Sequence, residues 1–440
     1  MTTSLQPAAG FVAVHGVLDA ARTLGEVMPL LAARVGCEID GIELAARSAP
    51  DVVRVPADPR RPGPDLRAVA DTALLRAGGE GPLVFRDRSG PIALAVDGRA
   101  TNAGVLRAAL MARGAVFNGA GIAELIVHLI AHSEQRTMMN RLLHALQRIE
   151  GGFSLALLTG DLLVLARDPR GLRPLCVGRR GGGWVSGPEA SMLRASGVLY
   201  VREVQAGEVL VLDAAGGEGS DAGLEALRPF AKQVVRPCAA EWLATASADA
   251  EVFGVDVVEV RDRLGFDLAE SFPARADVVV PLPGSEALAG GFARGASSRV
   301  IHALVSTGPA VRCSGAVRGL RVALLVDLLA TGERARRAVA ALRAAGASEV
   351  HVRVGTMPVS GPCLYGTVTP PEDELLAKRF EIPRMRAWLD ADSLAHPERA
   401  TMLAAAGRGA QGCCDGCFSG DYPVVPLDPQ IPLFPKAARV

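Results

Sequence analysis

The chain has 440 residues, 49% of them apolar, with 47 basic and 47 acidic side chains that leave no net charge. That length supports two or three domains with full cores, and the charge balance gives no reason to expect nucleic acid or an anionic membrane as a partner. No window approaches about 20 uninterrupted apolar residues and residues 1 to 10 lack a basic-then-apolar leader, so eight cysteines point to the cytoplasm and to thiol or metal use rather than disulfides.

In chain order, Ala9 to Val17 reads as a buried strand and Leu24 to Ala33 as a helix. Residues 51 to 66, rich in Pro, Arg and Asp, read as an exposed connection. Pro91 to Phe117 gives a strand, a turn at Asp97-Gly98, an N-cap at Thr101 or Asn102, and a helix. Another helix covers Ala123 to His132, and a longer one ends near Ile149. Gly151 to Val164 alternates into a hairpin turned at Gly160-Asp161. ARDPRGLRPLCVG, from 166 to 178, then reads as a turn leaving a strand, braced by a local ion pair of Asp168 with Arg173.

Residues 319 to 354 admit one reading. Val322 to Val326 is a short apolar run that suits a parallel strand covered on both faces, and Asp327 ends it. After a small turn at Thr331-Gly332, apolar residues recur at helical spacing through Val339, Leu342 and Ala345, and Gly346 stands where a helix would stop. Val350 to Val354 is the next strand. The result is a crossover unit whose loop lies at the carboxyl end of a sheet, where such folds bind ligands.

That loop resembles the ribose-phosphate signature of type I phosphoribosyltransferases, where two adjacent acids hold ribose hydroxyls and a Thr/Gly/Ser-rich turn holds the 5'-phosphate. Asp327, Thr331 and Gly332 match it; Val326 takes the place of the second acid, and Glu333 brings negative charge toward the phosphate. Together with IALAVDGRATN, GGFSLALLTGD, ARDPRGLRPLCVG and, at 201 to 213, VREVQAGEVLVLD, it makes the chain similar to the amidophosphoribosyltransferase family from Ala9 to Pro423 in unbroken order. The resemblance implies an α/β protein. Residues 1 to 230 would be a class II glutamine amidotransferase-like domain, an N-terminal-nucleophile αββα sandwich. Residues 231 to 440 would be a type I phosphoribosyltransferase doubly wound parallel sheet with a C-terminal iron-sulfur segment.

Compared with the family's motifs, both reaction centres are altered. The family's nucleophile is a cysteine that begins the mature chain, its free amino group acting as base. Ala9 stands in that position, followed by Gly10 and Phe11, and no cysteine precedes Cys37. Thr2, exposed by removal of Met1, lies too far upstream and reads as a frayed terminus. The family's Arg-Gly-Gln-Glu turn appears as Val35, Gly36, Cys37 and Glu38, and its substrate-gripping arginine falls near Ala73. The Asn-Gly pair of the oxyanion hole reads Asp97-Gly98, an acceptor where a donor is needed. The family's Ser-Asp-Thr turn reads Gly121, Ile122 and Ala123. In the pyrophosphate loop Ser285 is kept, while Gly284 and Glu286 replace the flanking acid and glycine. Between Gly291 and Val311 the chain is shorter than the family's by the length of a basic, mobile loop.

Cys414 and Cys417 form a C-x-x-C that can bring two thiolates to one metal centre, a 4Fe-4S cluster or a zinc ion, with reduced packing thiols as the remaining reading. With Cys238 and Cys363 they match, by the resemblance, the four 4Fe-4S ligands of the cluster-bearing branch. Cys413 is adjacent and could substitute; Cys37, Cys176 and Cys313 read as buried small hydrophobes. His128 and His132 have metal-like spacing but no evident third ligand, and the arginines at 334, 336 and 337 read as a solvated helix face.

The expectation is a cytoplasmic amidophosphoribosyltransferase-like pseudoenzyme with no catalytic residues, a 4Fe-4S partner or accessory subunit. It would form a homo-oligomer, or a hetero-oligomer with an intact homologue or a biosynthetic enzyme. Asp327, Thr331, Gly332 and Ser285 would hold a nucleotide or sugar phosphate. The alternative is a repurposed phosphoribosyltransferase of purine-like or specialised metabolism, using ammonia or another nucleophile, with Mg²⁺ only if phosphoribosyl pyrophosphate is bound.

Overall fold

The structure is a computed structural model that describes residues 6–7, 10–35, 42–48, 51–55, 64–66, 69–78, 81–88, 90–159, 161–213, 223–307, 310–407, 409 and 412–426. These form two compact units. One is built on the described parts of Pro7–Pro237, Leu364–Thr367 and Pro423–Val440, the other on those of Met1–Gln6, Cys238–Cys363 and Val368–Tyr422.

The first unit is an αββα sandwich. Its seven-stranded antiparallel sheet runs in the order Leu199–Glu203, Cys176–Arg180, Gly183–Gly187, Gly10–His15, Ala73–Ala77, Ile42–Ser48 and Asp51–Val55. Its six-stranded sheet runs Leu224–Leu227, Val209–Asp213, Leu162–Arg167, Gly151–Leu158, Gly90–Ala100 and Leu83–Asp87. Alternation along each strand divides the apolar residues among three cores. Val12 and Val14 face Leu24, Val27 and Leu31 of helix Ala20–Val35. Phe11 and Ala13 point the other way, into an inter-sheet core with Leu74, Ala93 and Ala95. Ile92, Leu94 and Val96 face Leu125, Ile126 and Leu129 of helix Ile122–Ala131 and Leu142 of helix Met138–Gln147. Each fully buried leucine contributes about 2 kcal/mol of transfer free energy.

Two local expectations give way here. Asp51–Val55 is a paired strand with Val52 buried between the sheets and Val55 on the opposite face, because three valines in five residues outweigh the surrounding Pro and Arg. Asp97-Gly98 is no turn: strand Gly90–Ala100 runs through it, with Asp97 opposite Ser154 and Gly98 opposite Phe153. Gly98 adopts φ +140, and a Cβ there would meet Gly152 O at 2.1 Å, so the close strand approach requires glycine. Asn102 precedes helix Ala103–Met111 as its N-cap; its side chain instead ties the loop to Arg148 O and Glu150 N. Gly160 of the anticipated hairpin turn lies outside the described residues.

The second unit is doubly wound. Its parallel sheet runs Arg299–Val300, Val278–Pro281, Arg321–Val326, Glu349–Val354 and Ser393–Ala395, or 2-1-3-4-5 in chain order, so the winding reverses between the strands ending at Pro281 and Val326. Helices Val257–Ser271 and Glu286–Gly295 cover one face through Leu264, Leu268, Leu288 and Phe292. Helices Glu333–Ala344 and Ile382–Leu389 cover the other through Ala338, Val339, Leu342, Met385 and Leu389. Gly346, in the left-handed region at φ +94, follows the helix end where the sequence places it.

Candidate functional sites

In the sandwich, Asp97 is buried and its carboxylate receives Nε and Nη2 of Arg173 at 3.1 and 2.8 Å. Arg173 Nη1 also reaches Thr367 Oγ1 at 3.4 Å. Segment Leu364–Thr367 lies close over this strand: a Cβ on Gly366 would stand 2.7 Å from Gly98 Cα. Strand Ala73–Ala77 carries a second buried guanidinium, Arg76, which donates to Val96 O at 3.2 Å. Sequence reading centred on Ala73 and missed Arg76, although an arginine at an inward position of an apolar strand was the available signal.

Asp168 is wholly buried and braces its turn by accepting backbone N–H groups from Arg170, Leu172 and Phe153. Burial pushes its carboxyl up to about 6 against those bonds and Arg167. Arg173 approaches it through its backbone N–H at 3.4 Å, while the guanidinium turns to Asp97.

At the family's Ser-Asp-Thr position, Gly121 caps helix Ile122–Ala131, and Glu124 accepts Asn118 N and Gly119 N at 2.7 and 2.8 Å. The loop is thereby tied to its own helix. His128 and His132 have ring centroids 6.2 Å apart, His128 packs tilted against Phe117 at 4.4 Å, and His132 Nδ1 bonds His128 O at 2.9 Å. Val35 ends its helix; Ala9, Gly36, Cys37 and Glu38 lie outside the described residues.

The second unit has a cleft of about 330 Å³ at the carboxyl ends of Val278–Pro281 and Arg321–Val326, at the winding reversal. It brings together Ser285, Asp327 and Gly332, with Arg261, Glu286 and Arg334. Ser285 Oγ accepts Asp327 N at 3.0 Å. Burial pushes the Asp327 carboxyl up to about 6, although Arg261 Nη1 stands 3.7 Å away. Arg261 is itself anchored by Trp242 O and Ala246 O. Glu286 folds back so that both carboxylate oxygens accept Gly284 N at 3.0 Å, taking a loop N–H that would otherwise suit an anion. Thr331 Oγ1 receives Glu333 N at 3.4 Å. Gly332 begins helix Glu333–Ala344 at φ +78, under Trp388 and Leu376. Strands Leu304–Thr307 and Ala310–Cys313 pair antiparallel at the end of the shortened stretch between Gly291 and Val311.

The same unit gathers Cys238, Cys363, Cys414 and Cys417, each at most 9% exposed. Three segments meet there through backbone bonds: Ala239 N to Cys414 O at 2.9 Å, and Ser360 N and Gly361 N to Cys417 O at 2.9 and 3.1 Å. Burial first, then the charges of Cys363, Cys238 and Cys414, push the Cys417 thiol well up, so Cys417 feels each of the other three. Among the described residues no three His, Cys, Asp or Glu side chains are placed to grip one metal ion. Cys413 is fully buried in the apolar core with Trp242. Cys176 is buried as expected, its thiol donating to Gly187 O, whereas Cys313 is only half-buried because its strand lies at the surface. Among the described residues no helix is long and apolar enough to cross a membrane.

Residues 68–195 match the profile of a glutamine amidotransferase domain. Over 388 residues the chain is 31% identical to the amidophosphoribosyltransferase of Bacillus subtilis, covering 81% of this chain and 80% of that protein. It is 32% identical to the chloroplastic amidophosphoribosyltransferases 2 and 1 of Arabidopsis thaliana, covering 80% of this chain and spanning only 65% and 64% of their lengths. Among solved structures, glutamine phosphoribosylpyrophosphate amidotransferase from B. subtilis, complexed with ADP and GMP, superposes with a TM-score of 0.86 at 26% identity. That match covers 95% of this chain and 98% of the other. A structure described as the allosteric regulatory enzyme of purine biosynthesis gives 0.84 at the same identity and coverage.

Proposed function

We propose, starting from the fact that this chain belongs to the amidophosphoribosyltransferase family, that it is a member with two silent reaction centres, an iron-sulfur accessory or partner subunit of the cytoplasm. The observation that carries this reading is Asp97. An oxyanion needs a donor, and here the position holds an acceptor already neutralised by Arg173 in a buried pair. Ala9 in place of the nucleophile and Gly121, Ile122 and Ala123 in place of the amine-binding turn support it. Glu286 and Val326 argue in the same direction in the transferase half.

Cys238, Cys363, Cys414 and Cys417 suit a 4Fe-4S cluster in number and donor type: four buried thiols on three segments that meet through backbone hydrogen bonds. A tetrahedral zinc would need its sulfurs roughly 3.8 Å apart, given its bond length of about 2.3 Å, a closeness that a larger cluster does not require. When bound, the cluster supplies a covalent tie among segments that otherwise meet through a few hydrogen bonds. Assembly with copies of itself, an intact homologue or a biosynthetic enzyme follows from an accessory role.

A second reading, a repurposed phosphoribosyltransferase, rests on the cleft. Asp327, Ser285 and Gly332 line it at the winding reversal, with Thr331 next to Gly332 in sequence but outside the lining, and this set would hold a sugar phosphate, with Mg²⁺ entering only alongside phosphoribosyl pyrophosphate. Incubating the pure chain with glutamine, and separately with phosphoribosyl pyrophosphate, Mg²⁺ and ammonia, distinguishes the two. The accessory reading expects neither glutamate nor pyrophosphate above background. Steady pyrophosphate release establishes the second reading, and glutamine hydrolysis defeats both.

A further inference from the structure

Asp415 lies between Cys414 and Cys417 and its side chain is completely buried, an unexpected place for a carboxylate beside buried cysteines. Arg399 meets it edge-on: Nε donates to Oδ2 at 2.6 Å and Nη2 to Oδ1 at 2.9 Å. The Arg399 side chain keeps a third of its surface exposed, and Nη2 also reaches Asp421 Oδ2 at 3.0 Å. Asp415 additionally starts the turn that carries Cys417, its backbone carbonyl accepting Phe418 N and Ser419 N. One guanidinium therefore both fixes the loop between two cysteines and cancels the charge buried in it.

We propose that Arg399 is a positioning residue for the cysteine cage, balancing Asp415 so that the cage retains its cluster, and that the Arg399–Asp415 pair sets the cluster's reduction potential. This rests on the reading that the four cysteines hold a 4Fe-4S cluster. A cluster held by four thiolates is already anionic, and a neighbouring uncompensated carboxylate disfavours both its retention and its reduction. Partners just outside the ligand set commonly change metal affinity ten- to a hundred-fold.

The test uses the full chain reconstituted anaerobically with ferrous iron and sulfide, as wild type, Arg399→Leu, Arg399→Lys, Asp415→Asn and the double variant Arg399→Leu/Asp415→Asn. Release of iron to a chelator and the reduction potential are read for each. Arg399→Leu should release iron at least about tenfold faster and show a more negative potential. Arg399→Lys should fall between, and Asp415→Asn alone should raise the potential. The double variant, which removes both charges, should return toward wild type in both readouts. A merely structural brace would leave the double variant as impaired as Arg399→Leu, and that result overturns the proposal. So does an Arg399→Leu protein with unchanged release and potential while wild type holds iron. Wild type that binds no iron removes the cluster reading itself, and the proposal with it.

Discussion

Arg173 and Asp97, 76 positions apart in sequence, form a buried ion pair in which two guanidinium nitrogens share one carboxylate oxygen. Neither side chain is more than 3% exposed. Removing one partner leaves the other charge buried alone. Arg173→Met should therefore lower unfolding free energy by about 3 to 5 kcal/mol, and the double variant Asp97→Asn/Arg173→Met should cost clearly less. Urea unfolding of the full chain measures both. Equal losses in the single and double variants would show that the pair is not electrostatically coupled.

This pair also marks where reading the chain alone stops. The unit from Arg321 to Val354 was legible because its signals are local: an apolar run closed by Asp327, a glycine before the helix, and a glycine after it. Asp97 was recognised as a carboxylate in the wrong place, but its partner was assigned to Asp168, since a turn invites a local pair. The composition around strand Asp51–Val55 hides it, and Arg76 stands three residues beyond Ala73, where an arginine is expected. Long-range partner choice depends on which strands become neighbours, and composition carries little of that information.

The cleft should respond to pH through Asp327. Its folded value near 6 lies above the ordinary 3.8, so the folded chain holds a proton that the unfolded chain has lost between those values. Stability from this group is therefore undiminished below about pH 3.8, falls as pH rises, and is fully lost above about pH 6. Asp327→Asn should leave stability at pH 4 nearly unchanged and raise it at pH 7 by up to about 3 kcal/mol. Asp168 carries a shift of the same sign, but both proteins retain it, so it cancels in the difference. A gain of equal size at both pH values would rule out the titration as its cause.

Gly332 combines a left-handed backbone with a crowded exterior: a Cβ would stand 2.8 Å from Trp388 and 2.9 Å from Leu376. Gly332→Ala should destabilise by about 1 to 3 kcal/mol, through backbone strain and displaced packing at the start of helix Glu333–Ala344. On the proposed sugar-phosphate role of the cleft, ligand titration should show binding weakened in proportion. Thermal unfolding at matched pH checks the first part, and an unchanged transition would mean that the helix start relaxes freely.

The cysteine cage makes an independent prediction about order rather than activity. Segments near Cys238, Cys363 and Cys417 are joined by the backbone bonds Ala239 N to Cys414 O and Ser360 N and Gly361 N to Cys417 O, with Ser360 Oγ to Phe418 O and Tyr422 Oη to Pro362 O beside them. On the proposed 4Fe-4S reading a cluster bonded to all of them would suppress local opening, so stripping iron should lower protection at these three amides by several orders of magnitude. The amides of strand Arg321–Val326, held by the sheet core on both faces, should stay protected. Hydrogen exchange with and without an iron chelator reads both groups in one sample. Equal protection at the cage amides in the two states would mean that the cysteines hold no cross-link between these segments, whatever else they bind.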